Sequence, residues 1–222
     1  MVKSLCWILG AATLTGMGWP ASNGMAAQGY YMGAEIGSEH VSYQPEYSFM
    51  NGTPNESYDN KADGLGGGVL AGYLWQTGTA FSIALQGRLS AADAVWELDI
   101  PEPASLRYAI PVNAALSLLP TFHVSKRVAF FVEVGVALGK IEERKSATTT
   151  SMYDVDEWQS GGIAGAGMNF AVDDRWSVRI GYRRTWYQEF SYDTHLADGA
   201  QVETVSDQPV QSMTSIGLIR EF

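Results

Sequence analysis

Six charged side chains carry the chemistry that this chain could do: Glu35, Glu39, Arg88, Glu133, Arg179 and Arg183. Each stands inside a largely apolar stretch. Many of the residues two positions away are small or polar: Gly33 and Gly37 beside Glu35, Gln86 and Ser90 beside Arg88, Gly135 beside Glu133, and Gly181 between Arg179 and Arg183. On an extended strand such positions share one face. Enclosed together, these acids and bases can do one of two things. They can pair into a buried network, in which loss of one partner costs ~3–5 kcal/mol. Or they can line a narrow conduit and select the ions that pass. Counted from the nearest turns, Glu35, Glu133 and Arg179 are expected at similar depth, with Glu39, Arg88 and Arg183 nearer the long connections.

Other clusters point to no cofactor and no metal. His40 and His195 lie near or in connections, with no cysteine and no fixed spacing, so they make no zinc site. Asp154, Asp156 and Glu157 lack the ligand spacing of an EF-hand. The Gly runs lie on strand faces and form no phosphate-binding loop.

Composition narrows the class. A chain of 222 residues with 46% hydrophobic residues can bury a substantial core in one domain. The net charge of −10 argues against nucleic acid as a partner. The amino-terminal segment reads as an export signal: Lys3 is its positive end, Leu5 to Trp19 its apolar stretch, and Gly24-Met25-Ala26-Ala27 its small-residue cleavage site. Cleavage there makes residues 1–27 a removed signal peptide and residues 28–222 the mature domain. The single cysteine, Cys6, falls in that segment, so the mature chain needs no disulfide. No apolar run reaches the ~18 residues of a membrane helix.

The elements that would position the six charges are strands. Alternating patterns run from Tyr30 to His40, Leu65 to Gln76, Phe81 towards Leu98, residues 107–123, Phe130 to Gly139, Trp158 to Val172, Trp176 to Trp186 and Ser212 to Phe222. Tight turns at 76–79, 125–127 and 173–174 alternate with long polar connections at 43–62, 99–106, 143–157 and 191–210. Pro111 and Pro120 interrupt the ladder donors of the fourth strand. One face of each strand carries Val, Leu, Ile and aromatics; the other carries Gly, polar residues and the six charges. On the fourth strand the apolar set is Tyr108, Ile110, Val112, Ala114, Leu116, Leu118 and Phe122. A soluble barrel turns apolar side chains inward. A barrel in lipid turns them outward and keeps its narrow interior small and polar. Aromatics fall at both strand ends: Tyr31, Tyr73, Trp75, Phe81, Phe122, Phe130, Phe170, Trp176 and Phe222 by the turns, and Trp96, Tyr108, Trp158, Trp186 and Tyr187 by the long connections. Such belts mark two membrane interfaces. The expected fold is therefore all-β: an eight-stranded antiparallel up-and-down transmembrane β-barrel, its last strand sealed to Tyr30–His40.

With these strands placed, the Gly66-Gly67-Gly68-Val69-Leu70-Ala71-Gly72-Tyr73 strand and the Ile216-to-Phe222 ending make residues 28–222 resemble the eight-stranded outer-membrane opacity and porin-like surface-antigen superfamily. The match at the end is imperfect, because Arg220 stands where many such sequences have an aromatic. The resemblance implies a Gram-negative outer membrane, contact with its lipids and lipopolysaccharide, and an outer-membrane assembly machinery that reads Phe222 as its signal. His123-Val124-Ser125 is similar to the His-x-Ser pair of outer-membrane lipid-A deacylases, but no acid stands at a spacing that would orient the imidazole. The function expected is that of a monomeric, non-enzymatic surface protein whose long loops make contacts outside the cell. A narrow passive channel is the alternative, and a lipid-modifying enzyme is the third reading.

Overall fold

The computed structural model describes residues 28–43, 46–49, 56–57, 60–100, 104–147, 153–195 and 201–222. They form thirteen strands: β1 (Gly29–Tyr43), β2 (Glu46–Phe49), β3 (Glu56–Ser57), β4 (Asn60–Gln76), β5 (Phe81–Ala92), β6 (Val95–Ile100), β7 (Ala104–His123), β8 (Val128–Ala147), β9 (Tyr153–Ala171), β10 (Trp176–Tyr187), β11 (Phe190–His195), β12 (Gln201–Asp207) and β13 (Val210–Glu221). Eight of them close a barrel in the order β5-β4-β1-β13-β10-β9-β8-β7, and β7 pairs back to β5. Every pairing is antiparallel. The seam joins β1 to β13, from Tyr31 opposite Glu221 to Ser42 opposite Val210. Closure leaves the membrane wall without an edge, which lipid requires because no water is present to bond a free backbone group.

The outer wall is apolar and exposed: Ile36, Val69, Leu89, Leu116, Val136, Ile180 and Ile216 all face outward. Aromatic rings pack along the turn-end rim, Tyr30 on Tyr73 at 4.8 Å and Phe81 on Phe122 at 5.0 Å between centroids. Arg220 belongs to this rim. Its guanidinium lies 5.5 Å from the Trp176 ring and 5.0 Å from the Phe222 ring. A cation held between two interfacial rings has a place at the membrane boundary.

Three features depart from the sequence pattern. First, the connections expected at 43–62, 99–106, 143–157 and 191–210 contain strands: β2, β3 and the start of β4, the end of β6 and start of β7, the ends of β8 and β9, and β11 with β12. Second, Tyr108 and Ile110 do not face lipid; both are buried. The register between β7 and β8 shifts between Ala109 and Val112, so one extra residue in β7 exchanges the two faces above that point. Pro111, which has no N–H to give the ladder, sits in this bulge. Pro120, by contrast, keeps its register opposite Ile83. Third, Tyr31 and Tyr187 leave the expected belts and turn into the lumen with Tyr108. Glycines make the room: a methyl on Gly72 would lie 2.6 Å from the Tyr31 ring, and one on Gly139 2.5 Å from the Tyr187 ring.

Above the membrane the wall continues but is no longer closed. β11, β12, β2 and β3 form a separate sheet in that order. These strands extend β10, β13, β1 and β4 respectively, so the sheet repeats the order of the staves beneath it. The upper parts of β7, β8 and β9, with β6, make the other half. Among the described residues no backbone ladder joins β9 to β11 or the start of β4 to β6, although β4 and β6 lie in contact.

Candidate functional site

The lumen is layered. Near the tight turns, Tyr31, Leu70, Ala84, Leu119, Phe131 and Ile219 pack into one buried apolar cluster. Near the long strands, Val41, Ala62, Ala94, Tyr108, Ile110, Ile141 and Tyr187 form a second, with Phe190 against it. The charged residues lie in the register between the two clusters, and all six are buried as the alternation requires.

The structure brings four of the six into one network. Arg88 sits between two acids: its Nε is 3.1 Å from Glu35 Oε1 and its Nη2 2.8 Å from Glu133 Oε1. Arg183 Nη2 reaches the same Glu35 oxygen at 2.7 Å. Hydroxyls add to these contacts. Ser117 Oγ donates to Glu133 at 2.9 Å, and Ser215 Oγ donates to Glu35 at 3.2 Å. Buried charges are stable only when paired and hydrogen-bonded in this way.

The other two stand apart from this quartet. Arg179 has neutral partners: its Nε donates to Asn169 Oδ1 at 2.9 Å, its Nη1 donates to Gln86 Oε1, and its guanidinium lies 4.9 Å from the Phe131 ring and 5.8 Å from that of Tyr31. Glu39 accepts a hydrogen bond from Gln211 Nε2 at 2.7 Å. Gln211 in turn accepts from Tyr187 OH at 2.6 Å and from Asn113 Nδ2 at 3.3 Å. In the strand register Glu35 and Arg179 stand opposite the same residue, Gly217, but their side chains part. Arg88 reaches the level of Glu35 and Glu133, whereas Arg179 turns toward the lower cluster. A long side chain reaches across layers, and a count of backbone positions does not register that.

Among the described residues, two small cavities of about 10 Å³ each lie in the lumen. One adjoins Glu39, Asn113 and Gln211; the other adjoins Glu35, Glu133 and Arg179. Each has room for about one water.

Sequence reading missed the neutral members of this interior. Gln86, Asn113 and Ser117 stood on the polar face, but a polar face does not say which member will cap which charge. It also passed over Arg184, an exposed residue on the lipid-facing side of β10 whose guanidinium lies 5.5 Å from the Trp186 ring.

The pair at His123 and Ser125 does not form. Ser125 Oγ accepts from the backbone N–H of Arg127 and of Val128, at 3.2 and 3.1 Å, and so caps the turn. His123 Nε2 instead lies 2.8 Å from Ser82 Oγ, and Ser82 is 1% exposed. His40 Nδ1 lies 2.7 Å from Asp63 on the outer wall. Asp156 lies in β9 and pairs with Lys140 at 3.1 Å. His195 ends β11. Among the described residues no three His, Cys, Asp or Glu side chains form a group that could hold a metal.

This closed lumen and apolar outer wall define an outer-membrane barrel, and comparison with known proteins agrees. The model of the outer membrane protein beta-barrel domain family matches residues 9–204, and the chain belongs to that family. It resides in the outer membrane of a Gram-negative bacterium, with its wall against the lipids. No curated protein matches the sequence. Among solved structures, the outer membrane protein OprG from Pseudomonas aeruginosa aligns at TM-score 0.54 and 12% identity, over 88% of this chain and 96% of OprG. The outer membrane protease OmpT from Escherichia coli aligns at 0.52 and 7% identity, over 86% and 97%. Neisserial surface protein A aligns at 0.45 and 13% identity, over 87% and 97%. At these identities the likeness to OprG and OmpT is one of fold.

Proposed function

We propose that this protein is a non-enzymatic, monomeric surface protein: a barrel that anchors a projecting β-structure outside the cell. In this reading residues 1–27 are removed on export, and Phe222 is the residue read by the assembly machinery. The carrying observation is the layered lumen. Two apolar clusters flank the Arg88 quartet, and the two cavities seen there among the described residues hold about one water each. A hydrated ion does not pass such a stack without displacing packed rings. The six charges then act as the interior's fastening, and the work at the surface falls to the strands beyond the membrane. The burial of Ser82 stands against a catalytic role for its pair with His123.

A planar-bilayer recording tests the reading. The expected result is no steady conductance from the folded protein; steady open-channel current would overturn the anchor in favour of a narrow channel. Incubation with radiolabelled lipid A tests the enzyme reading. The expectation is no released acyl chain, and time-dependent release would overturn it.

A further inference from the structure

The charges of the lumen do not balance locally. The quartet is neutral by itself, with Arg88 and Arg183 set against Glu35 and Glu133. Glu39 stands apart on the side of the long strands, held by Gln211. Arg179 stands apart on the side of the tight turns, against the Phe131 and Tyr31 rings. Among the described residues no carboxylate lies within ion-pair distance of Arg179. The acid on the neighbouring strand, Glu221, stands beyond Gly217, the register partner of Arg179, by roughly 13 Å along β13. Yet Arg179 is only 9% exposed. A guanidinium taken out of water keeps its charge and needs a counter-charge.

Hydrogen-bond donors are in surplus here as well. Gln86 Oε1 accepts from both Tyr31 OH and Arg179 Nη1, while Gln86 Nε2 is buried with no acceptor among the described residues. Arg179 has five N–H donors, and the neutral acceptors it meets are Asn169 and Gln86. One of the two lumen cavities lies against this guanidinium, and Arg88, Arg183, Ser215, Glu35 and Glu133 border it too. Both carboxylates are already paired with guanidinium and hydroxyl groups. Three cations therefore face two engaged anions across about 10 Å³.

We propose that this cavity is a halide site, which takes one chloride as the counter-ion of Arg179. A water fits the volume but brings two more donors to a place short of acceptors. A chloride only accepts, and it carries the missing negative charge. Branched anions are too large for a space of about one water, and three guanidinium groups oppose a cation. With chloride bound, the charges around the cavity sum to zero, and the ion ties Arg179 to the quartet. The site goes beyond the anchor reading and needs no conduction, because the ion is enclosed as the barrel closes and leaves when it unfolds.

The test is the linkage of chloride to folding. The full-length mature barrel is unfolded reversibly by urea in micelles at constant ionic strength, with sodium gluconate exchanged stepwise for sodium chloride. An ion bound by the folded state alone stabilises it by mass action. Once the site saturates, each tenfold rise in chloride should lower the unfolding constant tenfold, as one ion requires. Bromide should act like chloride. Arg179→Gln removes the charge and should abolish the dependence, whatever its own midpoint. Arg184→Gln, on the lipid-facing wall, should keep it in full. Independently of any variant, crystals of the unaltered protein grown in sodium bromide should show an anomalous peak bordered by Arg179, Arg183 and Ser215. A urea midpoint that ignores the exchange, a dependence that persists in Arg179→Gln, or bromide crystals without that peak would each overturn the site and leave a water there.

Discussion

Below the level of Gly161 and Tyr187 every strand has two neighbours; above it, among the described residues, the ladders form two separate sheets. The backbone chemistry is identical in both regions, and the solvent differs. In hydrocarbon an unpaired N–H or C=O finds no partner, so closure is compulsory. In water it is optional, and the strands can part. The lumen follows the same division. Where the wall is closed, charges are buried and must be paired one by one. Where it opens, Lys140, Glu142 and Asp156 share partners loosely at the surface.

The strongest way to break this comparison is hydrogen exchange. Amides of β1, β10 and β13 within the barrel should exchange orders of magnitude more slowly than the amides of Asp156 and Trp158, which face away from β8, since local openings span from about zero to the global stability. Comparable rates in both regions would mean that the upper half is closed in solution. Next in size is Arg88→Met. It strips the shared cation from Glu35 and Glu133 and should destabilise the barrel by ~3–5 kcal/mol, read as the urea midpoint in micelles. Asp156→Ala, which breaks a pair on the open region, should cost under ~1 kcal/mol in the same assay. A cost like that of Arg88→Met would erase the distinction between the regions. Tyr187→Phe lies between these in effect. It removes the hydroxyl bonded to Gln211 and Asn113 and should cost ~1–2 kcal/mol. Arg220→Ala should also cost little, ~0.5–1 kcal/mol, through lost contact with Trp176 and Phe222.

The registers of β1, β10 and β13 were legible because their alternation is unbroken, and β1 and β10 place Glu35, Glu39, Arg179 and Arg183 inside as the pattern requires. The same logic failed on β7. Alternation was read straight through Ile110 and Pro111, and the bulge there turned Tyr108 and Ile110 into the upper cluster. A proline in a strand signalled a lost donor; it did not reveal that the register would absorb it by an extra residue. Tyr31 and Tyr187 misled in another way. Their position at strand ends suits an interface, but glycines on nearby strands, Gly72 directly opposite Tyr31 and Gly139 two strands from Tyr187, leave the space into which each ring turns. The polar connections misled as well. Asp154, Asp156 and Glu157 look like a solvated loop because strand extension into water needs no apolar face.

The alternation of the chain by itself determined an eight-stranded wall, its inside and its outside, and which charges go inward, because lipid admits only one polarity. Which charge meets which was decided by closure. Arg88 and Glu133 are far apart in the chain, and only the curvature of the barrel carries a guanidinium to two carboxylates at once. Where β9 ceases to pair with β10 was likewise decided in three dimensions, because a strand's second neighbour is a property of the sheet and not of the strand.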